Sequence, residues 1–149
     1  MFKRMLRTDN SITPLILRLF LGVVFFPHGA QKALGWFGGF GFTGTMGFFT
    51  QKMEIPAILA LLVIAAEFLG SIGLITGFLT RLSAFGIASV MTGAIFMVHL
   101  PYGFFMNWTG KQAGEGYEFH LLAIGIALAL MVTGGGGLSI DGLIARKSD

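Results

Sequence analysis

Four stretches of this chain, at about 12–33, 55–79, 82–100 and 117–133, run with almost no polar interruption. Roughly 20 apolar residues carry a helix across a hydrocarbon core of about 30 Å. Each stretch therefore reads as a transmembrane span. The predicted fold class is all-α, a polytopic membrane protein whose single domain, residues 1–149, is an antiparallel four-helix transmembrane bundle. Pro14 suits the first turn of a helix capped by Asn10 or Ser11, and Pro56 opens the second span in the same way. Thr80-Arg81 leaves so little chain between the second and third spans that they form a tight hairpin.

The connecting segments are as informative as the spans. GWFGGFGFTGTMGFF (35–49) and PYGFFMNWTGKQAGEGYE (101–118) interleave glycine with aromatics. Trp36, Tyr102 and Trp108 fit an interfacial aromatic belt. Residues 43–53 read as a short helix lying on the membrane surface, with Phe48 and Phe49 turned toward the bundle.

Composition agrees with a membrane solvent. Hydrophobic residues make up 54% of the chain and charged residues 11%, and mean hydropathy is +0.80, whereas soluble globular chains carry roughly 25% charged residues. The net charge of +3 comes from residues dispersed along the chain and gathered at its two ends. That pattern marks orientation in a membrane and does not point to nucleic acid. The absence of cysteine excludes disulfides, thiolate metal sites and thiol redox chemistry in this chain.

KRMLR before an apolar run, with Gly29, Ala30 and Ala33 after it, resembles a signal peptide. Arg18 inside the run and Lys32 at the cleavage region favour a retained span. With four spans the termini share one side, together with Lys3, Arg4, Arg7, Arg81, Arg146 and Lys147. The other side has Lys52 and Lys111, with Lys32 at a helix end. The positive-inside rule puts both termini in the cytoplasm and the aromatic loops outside.

This orientation assigns depths at about 1.5 Å per residue. Arg18 lies near the inner face, His28 in the outer half and Lys32 near the outer boundary. Glu67 comes roughly 16 Å below Pro56. His99, Glu115, Glu118 and His120 lie at the outer ends of the third and fourth spans. The candidate ligand or proton site is therefore His28, Lys32, Glu67, His99 and Glu118, since ionisable groups inside a membrane face the bundle interior and pair. Helical facing sets Glu118 and His120 about 160° apart, so only one can turn inward, and Glu118 is the one expected to. Lys32 pairs best with Glu118 at the boundary. Glu67, lacking a cation, reads as neutral and hydrogen-bonded to His28. A plain alternative is that these groups only clasp the helices together. Arg18 reads as structural, held by Asp141 or by the carbonyl ends of the second and fourth spans. The carboxylate and histidine spacing does not indicate a metal, and no nucleotide-binding or zinc-protease motif is present.

The ordered pieces R-LxxG-VFFxHGAQK, GGFGFTGTMGFF, AAEFLGSIGLITGFLTR, MVHLPYGFF, NW at 107–108, GYEFHLL and GGGGLSID resemble the DoxX family from about residue 15 to residue 141. The resemblance implies a four-helix membrane protein related to the small subunits of a thiosulfate:quinone oxidoreductase. It also implies that Arg18, His28, Gly29, Lys32, Glu67, Arg81, His99 and Glu118 occupy its recurrent motif positions.

The expected function is thus a quinone-associated redox protein or subunit in the inner membrane. Its partners would be the lipid bilayer, a quinone or other small apolar ligand, and a second copy or redox-complex partner. A small-solute or proton transporter and a non-catalytic assembly subunit are the alternatives.

Overall fold

The computed structural model describes residue 6, residue 8 and residues 11–147. Lys3, Arg4, Arg7 and the alternative cap Asn10 lie outside the described residues, as does the side chain of Lys147.

Helices account for all the regular structure among the described residues. Helix α1 spans Ile12–Leu34. A short α2, Gly41–Gly47, runs on through wide π-type turns at Phe48–Lys52. Helix α3 spans Ala57–Thr76. Helix α4, Thr80–Ala94, continues through a second π-type segment, Ile95–His99, and a tight turn at Leu100–Tyr102. Helix α5 spans Glu118–Thr133 and α6 Ile140–Lys147. Three helical segments, Ile12–Leu34, Ala57–Thr76 and Thr80–Tyr102, are long and apolar enough to cross a membrane. The apolar α5, with 16 residues, is shorter.

Local chemistry sets these boundaries. Ser11 caps α1, its Oγ accepting from the Thr13 N–H at 3.3 Å, and Gly35 ends the helix at a left-handed φ of 74°. Pro56 stands directly before α3. Gly77, at φ 69°, stops α3.

Neighbouring helices run in opposite directions. Gly29 of α1 lies against Phe68 of α3, while Gly22 lies against Ile75. Gly73 of α3 faces Ser83 of α4, and Ala66 faces Gly86. Arg81 of α4 bonds Met131 of α5, whereas His99 meets His120 at the other end. Helix α5 touches α1 in turn. Leu21, Phe25, Leu74, Ile87, Met91, Ala127 and Leu130 fill the space between.

The end bearing α6 is locked by buried polar groups. Arg18, 1% exposed, donates from Nε to the Gly135 carbonyl at 2.9 Å, from Nη1 to Leu74 and Ile75 at 3.1 and 2.6 Å, and from Nη2 to Gly137 and Leu138 at 3.3 and 2.7 Å. The guanidinium thus caps the carbonyl end of α3 and the glycine-rich segment after α5. Asp141 does not bond Arg18. Its two carboxylate oxygens accept from the backbone N–H groups of Leu79 and Thr80 at 2.7 and 2.9 Å. Leu79 and Thr80 begin α4, where four N–H groups lack helical partners and negative charge is favoured. That demand places the carboxylate.

Candidate functional site

At the opposite end, where the loops 35–56 and 103–117 lie, the ionisable groups form two separate pairs. The first joins α1 to α3. The Lys32 ammonium donates to Glu67 Oε2 at 2.6 Å, with the Lys32 side chain 26% exposed and that of Glu67 5%. Gly29 makes this contact available. A Cβ there would stand 2.5 Å from the Phe68 Cα, so only glycine lets α1 come this close beside Glu67. Helix side chains lean toward the N-terminus, which carries the Lys32 stem from one turn away back to Glu67.

This corrects two expectations. Lys32 pairs with Glu67 and not with Glu118, and Glu67 does have a cation. Counting residues for depth treated the side chains as points, whereas the lysine stem spans the vertical step. His28 is not the Glu67 partner either. It is exposed, with its ring 6.1 Å from Phe25. Because Gly29 sits at the centre of the α1–α3 contact, a step of 100° takes His28 off that face.

The second pair joins α4 to α5. The rings of His99 and His120 lie with centroids 4.0 Å apart at an interplanar angle of 44°. His99 Nδ1 is 2.8 Å from the Glu115 carbonyl oxygen. A carbonyl only accepts, so Nδ1 carries the hydrogen and Nε2 is left free of that bond. His120 is 7% exposed, and its buried Nδ1 has no hydrogen-bond partner.

His120 therefore faces inward and Glu118 does not, the reverse of the expectation. Glu118 Oε1 accepts from the Met106 N–H at 3.0 Å and from the Trp108 indole N–H at 3.1 Å. The loop between α4 and α5 supplies the donors that this carboxylate needs. Glu115 Oε2 accepts from the Asn107 N–H at 2.7 Å and tightens the same loop.

Beside Lys32 a cleft of about 260 Å³ is lined by Gln31, Lys32, Gly38, Gly39, Phe40, Thr45, Phe48 and Phe49. Gln31 donates to the Phe37 carbonyl at 3.1 Å, tying the aromatic loop to α1. Phe48 and Phe49, expected to turn toward the bundle, line this cleft with Phe48 41% exposed, and Phe40 and Thr45 join them. Gln31 is the loop's anchor. The cleft thus combines aromatic walls with one ammonium that is backed by a buried carboxylate. A larger groove of about 420 Å³ between α4 and α5 is nearly all apolar. The hydroxyls of Ser89 and Thr92 on that groove turn back to the carbonyls of Phe85 and Ala88. Among the described residues no three metal-ligating side chains come together.

The DoxX family model matches residues 13–100, which hold both members of the first pair and His99 of the second. The chain belongs to the DoxX family. It is 29% identical over 136 residues to a Bacillus subtilis protein named "Putative oxidoreductase CatD", covering 91% of this chain and 90% of that one. It is also 29% identical over 138 residues to the "Inner membrane protein YqjF" of Escherichia coli, covering 93% and 96% of the two chains. An uncharacterized protein of Haemophilus influenzae is 30% identical over 139 residues, 92% of this chain and 86% of the other. No solved structure matches the chain. This DoxX protein is a membrane protein, with helices of the length and apolarity that a bilayer requires.

Proposed function

We propose that this DoxX protein is a quinone-associated redox protein or subunit of the prokaryotic inner membrane. In this reading its four apolar helices form one transmembrane bundle, both termini are cytoplasmic, and α2 with its π-type extension lies across the outer end as a surface helix. The cleft beside the Lys32–Glu67 pair is the observation that carries the reading. Phe40, Phe48 and Phe49 offer flat apolar walls to a ring, while the Lys32 ammonium can donate a hydrogen bond to a ring carbonyl oxygen. Glu67, 2.6 Å from that ammonium, can take up or return a proton as the ligand changes charge. A volume of about 260 Å³ is slightly smaller than pockets for drug-sized ligands, which start at roughly 300 Å³. It suits a head group whose tail remains in lipid. The oxidoreductase name of the Bacillus relative and the inner-membrane name of the Escherichia relative support the same reading.

The transport alternative lacks comparable support. Below Glu67 the hydroxyls of Ser71, Thr76 and Ser83 donate to carbonyls of their own neighbourhood, and Arg18 is saturated by five carbonyls. No observation specifically favours the assembly-subunit alternative.

The test uses protein in nanodiscs, titrated with a short-chain benzoquinone or naphthoquinone while tryptophan quenching is followed. Binding in the micromolar range should weaken about tenfold or more in Lys32→Met and in Phe48→Ala, because a charge-assisted hydrogen bond contributes about 1.5–3 kcal/mol. Absence of saturable binding by the wild type, or binding indifferent to both substitutions, would refute the proposal.

A further inference from the structure

His28 lies on the outward side of α1, in line with Phe20 and Val24 at every fourth position. Phe20 is 69% exposed and Val24 41%, and His28 is exposed beside them. The contact that places its ring is with Phe25 of its own helix, and it forms no hydrogen bond among the described residues. Ionisable side chains within membrane spans face a bundle interior or find a partner, so an outward imidazole needs one from outside this chain.

Lipid head groups do not fill that role. His28 stands six residues before the last residue of α1, about 9 Å from that end. Side chains on a helix lean toward its N-terminus, so the ring tips away from the nearer surface. A lysine stem could reverse course and reach the head groups, but an imidazole is too short. Pro27 adds a second polar group to the same strip. It brings no N–H to the Val23 carbonyl, and Val23 is 60% exposed.

We propose that this strip of α1 is the docking surface for a second copy of the chain, with the two copies related by a two-fold axis along the bilayer normal. A two-fold contact presents the same patch from both sides, so the patch must complement itself. A neutral imidazole does, having one donor and one acceptor nitrogen. Each His28 can bond its counterpart or the Val23 carbonyl of the other α1. That carbonyl points toward the C-terminus while the ring leans back, so the two groups lie at similar depth. Phe20 and Val24 supply apolar packing along the seam. Within the chain, Lys32 and Glu67 bond each other, His99 bonds Glu115, and Glu118 bonds the loop. His28 is the ionisable group on α1 left for an external contact. The inference is independent of quinone binding.

The chain has no cysteine, so single-cysteine cross-linking needs no background removal. Val24→Cys, which keeps His28, and His28→Cys are reconstituted in proteoliposomes and oxidised with copper–phenanthroline. Leu69→Cys on α3 and Leu122→Cys on α5, both well exposed, serve as comparisons. Disulfide-linked species of twice the chain mass should form at 24 and 28 at least fivefold faster than at 69 and 122. Fluorescence transfer between labelled copies should show His28→Ala raising the dimer dissociation constant roughly tenfold, as expected for the loss of two interhelical hydrogen bonds, while its unfolding temperature stays unchanged. Equal rates at all four positions, no dimer at 24 or 28, or cross-linking in native membranes only to a chain of another mass would overturn the proposal. An unaltered dissociation constant in His28→Ala would overturn it as well.

Discussion

Replacing Arg18 by methionine should come close to unfolding the protein, and replacing it by lysine should cost about half as much. Methionine keeps much of the apolar stem but leaves carbonyls of Gly135, Leu74, Ile75, Gly137 and Leu138 without their donor. Three of the five bonds, at 2.9, 2.6 and 2.7 Å, have near-ideal length. At about 1.5–2 kcal/mol each for a charged donor, they total roughly 5 kcal/mol, comparable to the whole stability of many domains. Lysine retains the charge and three donors, but its single nitrogen cannot reach acceptors on both α3 and the 135–138 segment. It should lose about 2–3 kcal/mol. For a chain of this length 1 kcal/mol moves the unfolding temperature by roughly 2–4 °C. Far-ultraviolet circular dichroism melts in one detergent should therefore show a fall of about 10–20 °C for Arg18→Met and about half that for Arg18→Lys. A methionine variant melting within 3 °C of wild type, or a lysine variant indistinguishable from wild type, would refute the account of the guanidinium as a fork between two elements.

Three further outcomes follow from the opposite end. Lys32→Met leaves the buried Glu67 carboxylate alone and should destabilise by about 2–3 kcal/mol, below the range for a fully buried pair because Lys32 is partly hydrated. Adding Glu67→Gln should restore part of the loss in a double-mutant cycle, and strict additivity would contradict the pairing. Gly29→Ala puts a methyl group against the Phe68 backbone; it should cost about 3 kcal/mol and lower quinone-analogue affinity, and a neutral effect on melting would show that α1 and α3 can separate freely. His120→Phe keeps a ring against His99 while removing the partnerless Nδ1, so it should raise stability by about 1 kcal/mol. A large loss on the same melting assay would mean that the nitrogen has a partner in the membrane.

The apolar helices were legible because a span's length answers to bilayer thickness and needs no knowledge of neighbours, and three of the four are long enough to cross a membrane. The boundaries read at 12–33 and 117–133 differ from Ile12–Leu34 and Glu118–Thr133 by a residue. The stretch read at 55–79 is longer than Ala57–Thr76, because Gly77 turns the chain before the apolar run ends. Arg18 was legible as a carbonyl cap, since an arginine at that depth has few other uses. The pairings were not legible. Whether Glu118 or His120 faces inward depends on the loop's Met106 and Trp108 N–H groups, whose positions no helical periodicity encodes. Lys32 reaches Glu67 because a glycine one turn away sets the spacing of two helices, a relation between segments far apart in sequence.

The Arg18 cap also imposes an order on biogenesis. Its acceptors at Gly135, Gly137 and Leu138 lie 117 to 120 residues farther along the chain. At roughly 5–20 residues per second, the first span waits on the order of ten seconds before they are synthesised. Arg18 is six residues from the start of α1, close enough for its long side chain to rest in the head-group layer meanwhile. Only when the chain has been made past residue 138 can the guanidinium close its cage. Chains interrupted before residue 135 offer the guanidinium only the Leu74 and Ile75 carbonyls, leaving Nε and Nη2 without acceptors, which distinguishes them from finished ones at a single position.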